Sequence, residues 1–455
     1  MAAAATAPSR HEPFRFRTAA GMLRKAAALG VDLPFDDDID SLLEPAAIAG
    51  RKVPNRLAVQ PLEGADAAPD GAPGELTLRR YRRYAEGGSG LIWCEAAAVT
   101  PGGRANLHQL MITRANVAAF RSLAGTTRAA ARAAFGKAHR PFLVLQLTHA
   151  GRYSRAEPGS VPRGVAVNPH LDARETPAAP WSDEELDAIR VAFIEAVRLA
   201  AQAGFDAVDI KACHGYLLSE LLGARTRAGS RYGGPFENRT RLLLDIVAGA
   251  RAAVADIGIA VRLNVTDLVP FPFGFGMAAD DSGRIDPAEP LALARALVAS
   301  GCSLLNASAG VPRYATHVGR PFDRPAAGDR IPDEHPLEGV GRLIRLAAEV
   351  QLVAAPVPVV GSGYSWLRQF WPHVGAAVVR RGLATFIGLG RSALAYPDAP
   401  KDLMRHGSLD RSKCCTACSR CVELLRHGGP TGCVVRDRPL FARLHREMTQ
   451  GKGAR

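Results

Sequence analysis

Residues 182–214, SDEELDAIRVAFIEAVRLAAQAGFDAVDIKACH, hold one complete helix-to-strand unit, and their reading decides the fold. Ser182 and Glu185 form a capping box, in which the serine side chain accepts from the backbone three residues on while the glutamate reaches back. Leu186, Ile189, Phe193, Ile194 and Val197 then recur at helical spacing until Gly204 stops the helix. The next run, Ala207 to His214, is apolar at its start and polar at its tip. A strand that is apolar on both faces belongs in a parallel sheet covered by helices.

Outward from this unit lie seven further runs of the same kind: Arg56–Glu63, Gly90–Val99, Phe142–His149, Ala260–Asp267, Ser303–Gly310, Pro358–Gly363 and Thr385–Arg391. Helical patterns separate most of them. Alternating strands and helices imply a parallel sheet, and eight such units predict an α/β fold closed into a (β/α)8 TIM barrel. The alternative, an open dinucleotide-binding sheet, calls for a GxGxxG turn opening a helix after an early strand, and that turn is missing. The expected organisation is an N-terminal extension over 1–44, the barrel over 45–402 and a cysteine-rich segment over 403–455.

Composition supports this and removes other classes. A chain of 455 residues with 47% apolar and 22% charged residues can bury a large core. The net charge of +13 is spread as arginines among alanines and glutamates, with no polybasic run, which argues against nucleic acid and for small anionic ligands. No apolar stretch reaches a membrane span, and the start MAAAATAPSRHEPFRFRTAA lacks a secretory core, so a cytoplasmic protein is expected. The acidic run Asp36, Asp37, Asp38 and Asp40 reads as a surface arm or interface element rather than a metal site. Of eight cysteines, five crowd between Cys414 and Cys433, the pattern of metal binding in a reducing compartment.

In a barrel the chemistry sits at the C-terminal tips of the strands. Here those tips carry Gln60, Glu63, Gln146, His149, Lys211, His214, Arg262, Asp267 and Arg391. The seventh and eighth runs end in Gly361-Ser362-Gly363 and Gly388-Leu389-Gly390-Arg391, turns whose backbone N–H groups can cradle a phosphate. Cys415, Cys418, Cys421 and Cys433 supply four thiolates, enough for one cubane iron–sulfur cluster or one tetrahedral zinc. Cys414 is the spare, and Cys94, Cys213 and Cys302 read as small core residues.

The strings PNRLAVQPLEG, LVLQLTHAGRYS, AGFDAVDIKACHGYLLSELL, RYGGPFENRTRLL and FIGLGRSALAYPD resemble the old yellow enzyme family of flavin oxidoreductases over about residues 45–435. Barrel and cysteines together are similar to the branch that contains 2,4-dienoyl-CoA reductase and trimethylamine dehydrogenase. The resemblance implies FMN, with Gln146 on its pyrimidine ring, Arg262 at the N1 and O2 edge, Gly361, Ser362, Gly363, Gly390 and Arg391 at its phosphate, and Pro61, Leu62, Glu63 and Ala96 along its surface. It implies a 4Fe-4S cluster on the four cysteines, NAD(P)H as electron donor, and reduction of an activated C=C bond. Amine or betaine oxidation with electrons leaving through the cluster is the alternative, and a non-catalytic electron-transfer subunit a third reading.

Two departures from the family pattern stand out. Lys211 replaces the first member of the usual substrate-binding pair, leaving His214 for carbonyl binding and Tyr216 as the resemblance's proton donor. Glu63 stands where relatives often place Thr or Cys beside flavin O4; it either sits at the flavin or pairs with Lys211 or an arginine across the mouth. Arg262 has its own bland alternative, an ion pair with Asp267. Regular pleating would point Lys211 and Cys213 one way and His214 the other, provided the strand stays regular. Phe271, Phe273 and Phe275 fall where lids belong. The expected partners are a small-molecule substrate, a separate electron-transfer protein or reductase subunit docking near Cys418–Pro430 through Arg426 and His427, and a second copy of the chain.

Overall fold

The computed structural model describes residues 10–155, 161–172, 179–280 and 282–450. Eight parallel strands close on themselves: β1 (Leu57–Val59), β2 (Leu91–Ala98), β3 (Phe142–Thr148), β4 (Ala207–Ile210), β5 (Gly258–Asn264), β6 (Leu304–Ser308), β7 (Val359–Gly361) and β8 (Phe386–Leu389). Each falls inside one of the eight runs or overlaps it. Closure is the pairing of Leu57 with Ile387 and Val59 with Leu389. The capping box at Ser182 and Glu185 is formed, its helix runs Asp183–Gln202, and Gly204 turns left-handed at φ 85°.

Two layers fill the barrel. The lower one is apolar: Ala58, Leu91, Trp93, Phe142, Val144, Ala207, Ala260, Leu304, Val360 and Phe386 pack with Ile48 and Val53. Those last two residues come from an antiparallel hairpin, Ala46–Ile48 with Arg51–Val53, that plugs the N-terminal end. The upper layer is polar and satisfies itself. Gln60 and Asn306 exchange amide hydrogen bonds at 2.8 and 3.2 Å. Asp209 Oδ2 accepts from Trp93 Nε1 (2.9 Å) and Gln146 Nε2 (2.5 Å), while its Oδ1 accepts from the Arg262 backbone N–H (2.6 Å). A fully buried carboxylate needs such donors to offset its lost hydration, and burial still raises its pKa to about 6.

Both ends of the chain are strapped to this barrel. In the extension, Met22 and Ala26 of the helix Ala19–Ala28 join the main core. Beyond β8, Cys414 and Ala417 join the same core, while the helices Arg420–Arg426 and Arg438–Gln450 bury a small cluster of Leu424, Val434 and Phe441. The boundary expected at residue 403 falls within a helix, Ala399–His406. The cysteine segment is tied to the β1 loop by Thr431 N–H donating to Gly64 O (2.7 Å), and to the helix after β1 by Arg79 and Arg83 on Asp437. No helix among the described residues is long and apolar enough to cross a membrane.

Candidate active site

Strand β4 does not stay regular. It ends at Ile210, and His214 and Gly215 both take positive φ, 67° and 75°. The simple alternation of side chains therefore fails beyond Ile210, and the chain coils so that Lys211, His214 and Tyr216 all face the barrel mouth. A side chain at position 215 would strike Val311 and Tyr153, which is why glycine stands there.

Three groups from two separate stretches meet at that mouth. Glu63 Oε1 accepts from the Tyr216 hydroxyl at 2.6 Å and from Lys211 Nζ at 3.2 Å, and the same ammonium lies 3.5 Å from the centre of the Tyr216 ring. Of the two positions open to Glu63, the structure takes the pair with Lys211. Burial foremost, then the charge and hydrogen bond of Glu63, hold the Tyr216 phenol well above its ordinary range. His214 Nε2 lies 2.8 Å from Ser308 Oγ, and burial, reinforced by Arg262, Lys211 and Arg320, keeps its imidazole neutral far below the usual histidine range.

Opposite these stands a set of cations with N–H groups that lack hydrogen-bond partners, of which Arg320 keeps a long ion pair with Asp329 at 3.9 Å. Arg262 is buried, its Nη1 donates to Pro61 O at 3.4 Å, and its Nε has no hydrogen-bond partner. It makes no pair with Asp267, whose carboxylate takes Asn264 and the Phe275 N–H instead and sits near pKa 6 through burial. Arg391 donates through Nη2 to Pro321 O and leaves Nη1 unpartnered. Arg320, a residue the sequence reading missed, leaves Nε and Nη2 unpartnered, and its pKa falls to about 10 through burial and the nearby charge of Arg391. It lies in the long connection after β6, away from any strand tip, so no strand register marks it.

The two glycine turns border these guanidiniums. Gly363 is left-handed at φ 101° and a Cβ there would collide with Leu343, whereas one at Gly390 would make ordinary contacts with Leu62 and Gln60. Ser362 turns inward, accepting from Gln60 and donating to Ala307 O at 2.9 Å, so its hydroxyl belongs to the polar barrel layer. Gly361 O takes a further contact from Gln60. Ala96 lies at an irregularity in the β2–β3 pairing and its carbonyl accepts from Gln109. Unpartnered buried guanidiniums beside two backbone cradles fit a phosphate and the anionic edge of a flavin ring.

The loop that carries Glu63 is clamped from below. Gly64 N–H donates to Glu95, which burial raises to about 7, and Arg80 bridges Glu95 and Asp66. Neither Glu95 nor Arg80 is marked in the sequence, because one sits inside an otherwise apolar strand and the other on an arginine-rich helix.

Cys415, Cys418, Cys421 and Cys433 are half-buried and close enough to influence one another's charge. Cys415 Sγ accepts from the Ala417 N–H and Cys433 Sγ from the Arg436 N–H, both at 3.3 Å, and the turns between them are left-handed at Ala417 and Ser419. Among the described residues no group of three or more His, Cys, Asp or Glu side chains is arranged to hold a single ion. Four thiols with backbone N–H donors are the ligand chemistry of an iron–sulfur cluster. Arg391 and Arg320 lie within electrostatic reach of Cys421, so the cradle and the cysteines are neighbours. Arg426 is held by Asp329 and Ala327 O, and His427 Nδ1 lies 2.7 Å from Glu423 O, so both side chains also have partners within the chain. A basic cleft of about 540 Å³, lined by Arg368, Arg411 and Arg436, opens beside Cys414.

A closed (β/α)8 barrel with a phenol and an imidazole at its C-terminal mouth has the architecture of an enzyme barrel. The chain belongs to the NADH:flavin oxidoreductase / NADH oxidase family, whose model matches residues 41–272. A metal reductase of Desulforamulus reducens is 28% identical over 402 residues, covering 87% of this chain and 53% of that protein. An NADH oxidase of Thermoanaerobacter brockii is 26% identical, covering 83% and 53% respectively. The chain thus spans about half the length of these curated relatives. Among solved structures, a 2-naphthoyl-CoA reductase complex shares the fold at TM-score 0.70 and 22% identity, over 90% of this chain and 58% of that one. A histamine dehydrogenase from Rhizobium shares it at TM-score 0.66 and 20% identity, over 87% and 52%.

Proposed function

We propose that this chain binds FMN at the barrel mouth and reduces an activated C=C bond of an enone, enoate or enoyl ester, with electrons from NAD(P)H or an external donor. The observation that carries the reading is the Tyr216 hydroxyl, kept protonated by its surroundings and placed beside neutral His214 at the mouth. When bound, FMN supplies hydride chemistry. Arg391, Arg320 and the backbone at Gly361–Gly363 and Gly390 would hold its phosphate. Arg262 would meet the N1 and O2 edge, Gln146, oriented by Asp209, the pyrimidine ring, and Pro61, Leu62, Glu63 and Ala96 would line the remaining surface.

His214 acts as a neutral hydrogen-bonding group for the substrate carbonyl, and Tyr216 gives a proton to the substrate carbon. Lys211 fixes Glu63 and the Tyr216 ring. Cys415, Cys418, Cys421 and Cys433 would hold a 4Fe-4S cluster, which passes single electrons. Support comes from relatives named NADH oxidase and NADPH dehydrogenase and from the fold shared with 2-naphthoyl-CoA reductase and morphinone reductase.

A second reading, oxidation of an amine with electrons passed to a separate protein, is favoured by the basic cleft beside Cys414, which suits an acidic carrier, and by the fold shared with histamine dehydrogenase. Anaerobic stopped-flow absorbance separates the two. The first reading expects flavin bleaching by NADH or NADPH and recolouring by 2-cyclohexenone; bleaching by an amine without nicotinamide, and none by nicotinamide, would replace it with the second.

A further inference from the structure

We propose that Glu63 is the acid that feeds Tyr216: a proton passes from the Glu63 carboxyl to the Tyr216 oxygen as the tyrosine's own proton moves to the substrate. This rests on the reading above that Tyr216 is the proton donor. The geometry poses the problem that the relay solves. Tyr216 has one hydroxyl proton, and at 2.6 Å it is committed to Glu63 Oε1. Donation to a substrate from that arrangement would leave a phenolate facing a carboxylate at hydrogen-bond distance in a largely buried site, where like charges repel strongly.

Protonating Glu63 reverses the hydrogen bond. Its carboxyl O–H then donates to the tyrosine oxygen and frees the phenol proton to point at the substrate. In the transfer the Glu63 O–H bond breaks as a new O–H forms on Tyr216, and the original Tyr216 O–H breaks as the substrate C–H forms. One proton leaves the enzyme and neither side chain changes its electron count. The state that remains is a carboxylate accepting from a phenol, which is the arrangement the structure holds.

The neighbours suit that cycle. Lys211 Nζ, 3.2 Å from the same carboxylate oxygen, stabilises the charge left on Glu63. The Glu63 side chain is 16% exposed against 6% for Lys211, so it can take its next proton from water. The other groups that face this pair are Glu95 on β2, Tyr153 after β3, Arg313 after β6 and Cys213. Glu95 is engaged with Arg80 and with the Gly64 N–H, which fixes the loop next to Glu63 without competing for Tyr216.

The test uses FMN-loaded protein carrying ¹³Cζ-tyrosine, with Tyr216→Phe assigning the resonance. In Glu63→Gln the Tyr216 resonance is expected to titrate about one pH unit lower or more, since the carboxylate that disfavours phenolate is gone. Reoxidation of reduced protein by 2-cyclohexenone is expected to slow about 100-fold, and the decline in rate at rising pH that the relay predicts for the native protein to vanish. Should Glu63→Gln not fold, Glu63→Asp keeps the acid and the pH limb with a slower rate. An unchanged Tyr216 titration, or native reoxidation with the limb intact in Glu63→Gln, overturns the relay. If the native protein reoxidises with no enone, C=C reduction falls alone, and the tyrosine titration still decides whether Glu63 governs the Tyr216 proton.

Discussion

The two sides of the barrel mouth are built on opposite principles. Around β7 and β8, Arg391 and Arg320 each keep guanidinium N–H groups without partners, and Arg262 does the same across the mouth. Around β1 and β4, Lys211, Glu63 and Tyr216 satisfy one another. Buried guanidinium N–H groups without hydrogen-bond partners cost stability unless a ligand supplies the missing acceptors. A closed network contributes to the fold itself and changes only when a proton arrives. One side therefore keeps donors open to a ligand, and the other is closed on itself.

Substitutions on the two sides should give opposite signatures. The largest effect is expected from Arg320→Met with Arg391→Met: FMN affinity falls about 1000-fold, as two charge-assisted contacts of about 2 kcal/mol each are lost. The flavin-free protein meanwhile keeps or raises its melting temperature. Fluorescence titration and calorimetry check both halves, and a strongly destabilised apoprotein with intact affinity would erase the distinction. Lys211→Met should do the reverse, destabilising the protein by about 3 kcal/mol in urea because a mostly buried carboxylate loses its cation, while FMN affinity changes less than about threefold.

A pH series sharpens the comparison further. Burial lowers the His149 pKa to about 4, so the unfolded chain takes up a proton below pH 6.5 that the folded one refuses. Its contribution is present above 6.5 and is lost as pH falls through 4, amounting to about 2 kcal/mol between pH 7 and 4.5. Asp209 and Asp267, raised to about 6, act oppositely: their contribution is full below the unfolded carboxylate range near 4 and fades as pH rises through 6. The urea midpoint of His149→Gln should therefore rise relative to the native protein as pH falls from 7 to 4.5; parallel curves would refute the assignment. Ser308→Ala, which removes the hydroxyl beside His214, should cost about 1 kcal/mol and leave FMN affinity unchanged.

Much of the barrel was legible because its signals are local and periodic. The eight apolar runs, the Ser182 capping box and the Gly204 stop each follow from residues a few positions apart, and so does the cysteine spacing. Lys211 and Glu63 stood out as departures, and their pairing was one of two readings the residues allowed. Less local facts escaped. Asp209 looks like an ordinary break in a strand until Trp93, Gln146 and the Arg262 backbone surround it from three other strands. Arg320 belongs to the mouth only because a long connection folds back over it. The turn at His214 and Gly215 defeated the alternation of a regular strand, and the hydrogen bonds of Arg426 to Asp329 and of His427 to the Glu423 carbonyl carry no local mark.

Closure between β1 and β8 carries a consequence for synthesis on the ribosome. Leu57 has no partner on that edge until Ile387 has been made, and at about 5–20 residues per second the wait is tens of seconds. During that time two open edges of a parallel sheet are exposed to chaperones and to other nascent chains. Cys415 to Cys433 emerge just after the closing strand, and their segment docks on Gly64, at the end of the first one. Whatever those four thiols bind is thereby acquired last, after a barrel whose two ends have already met.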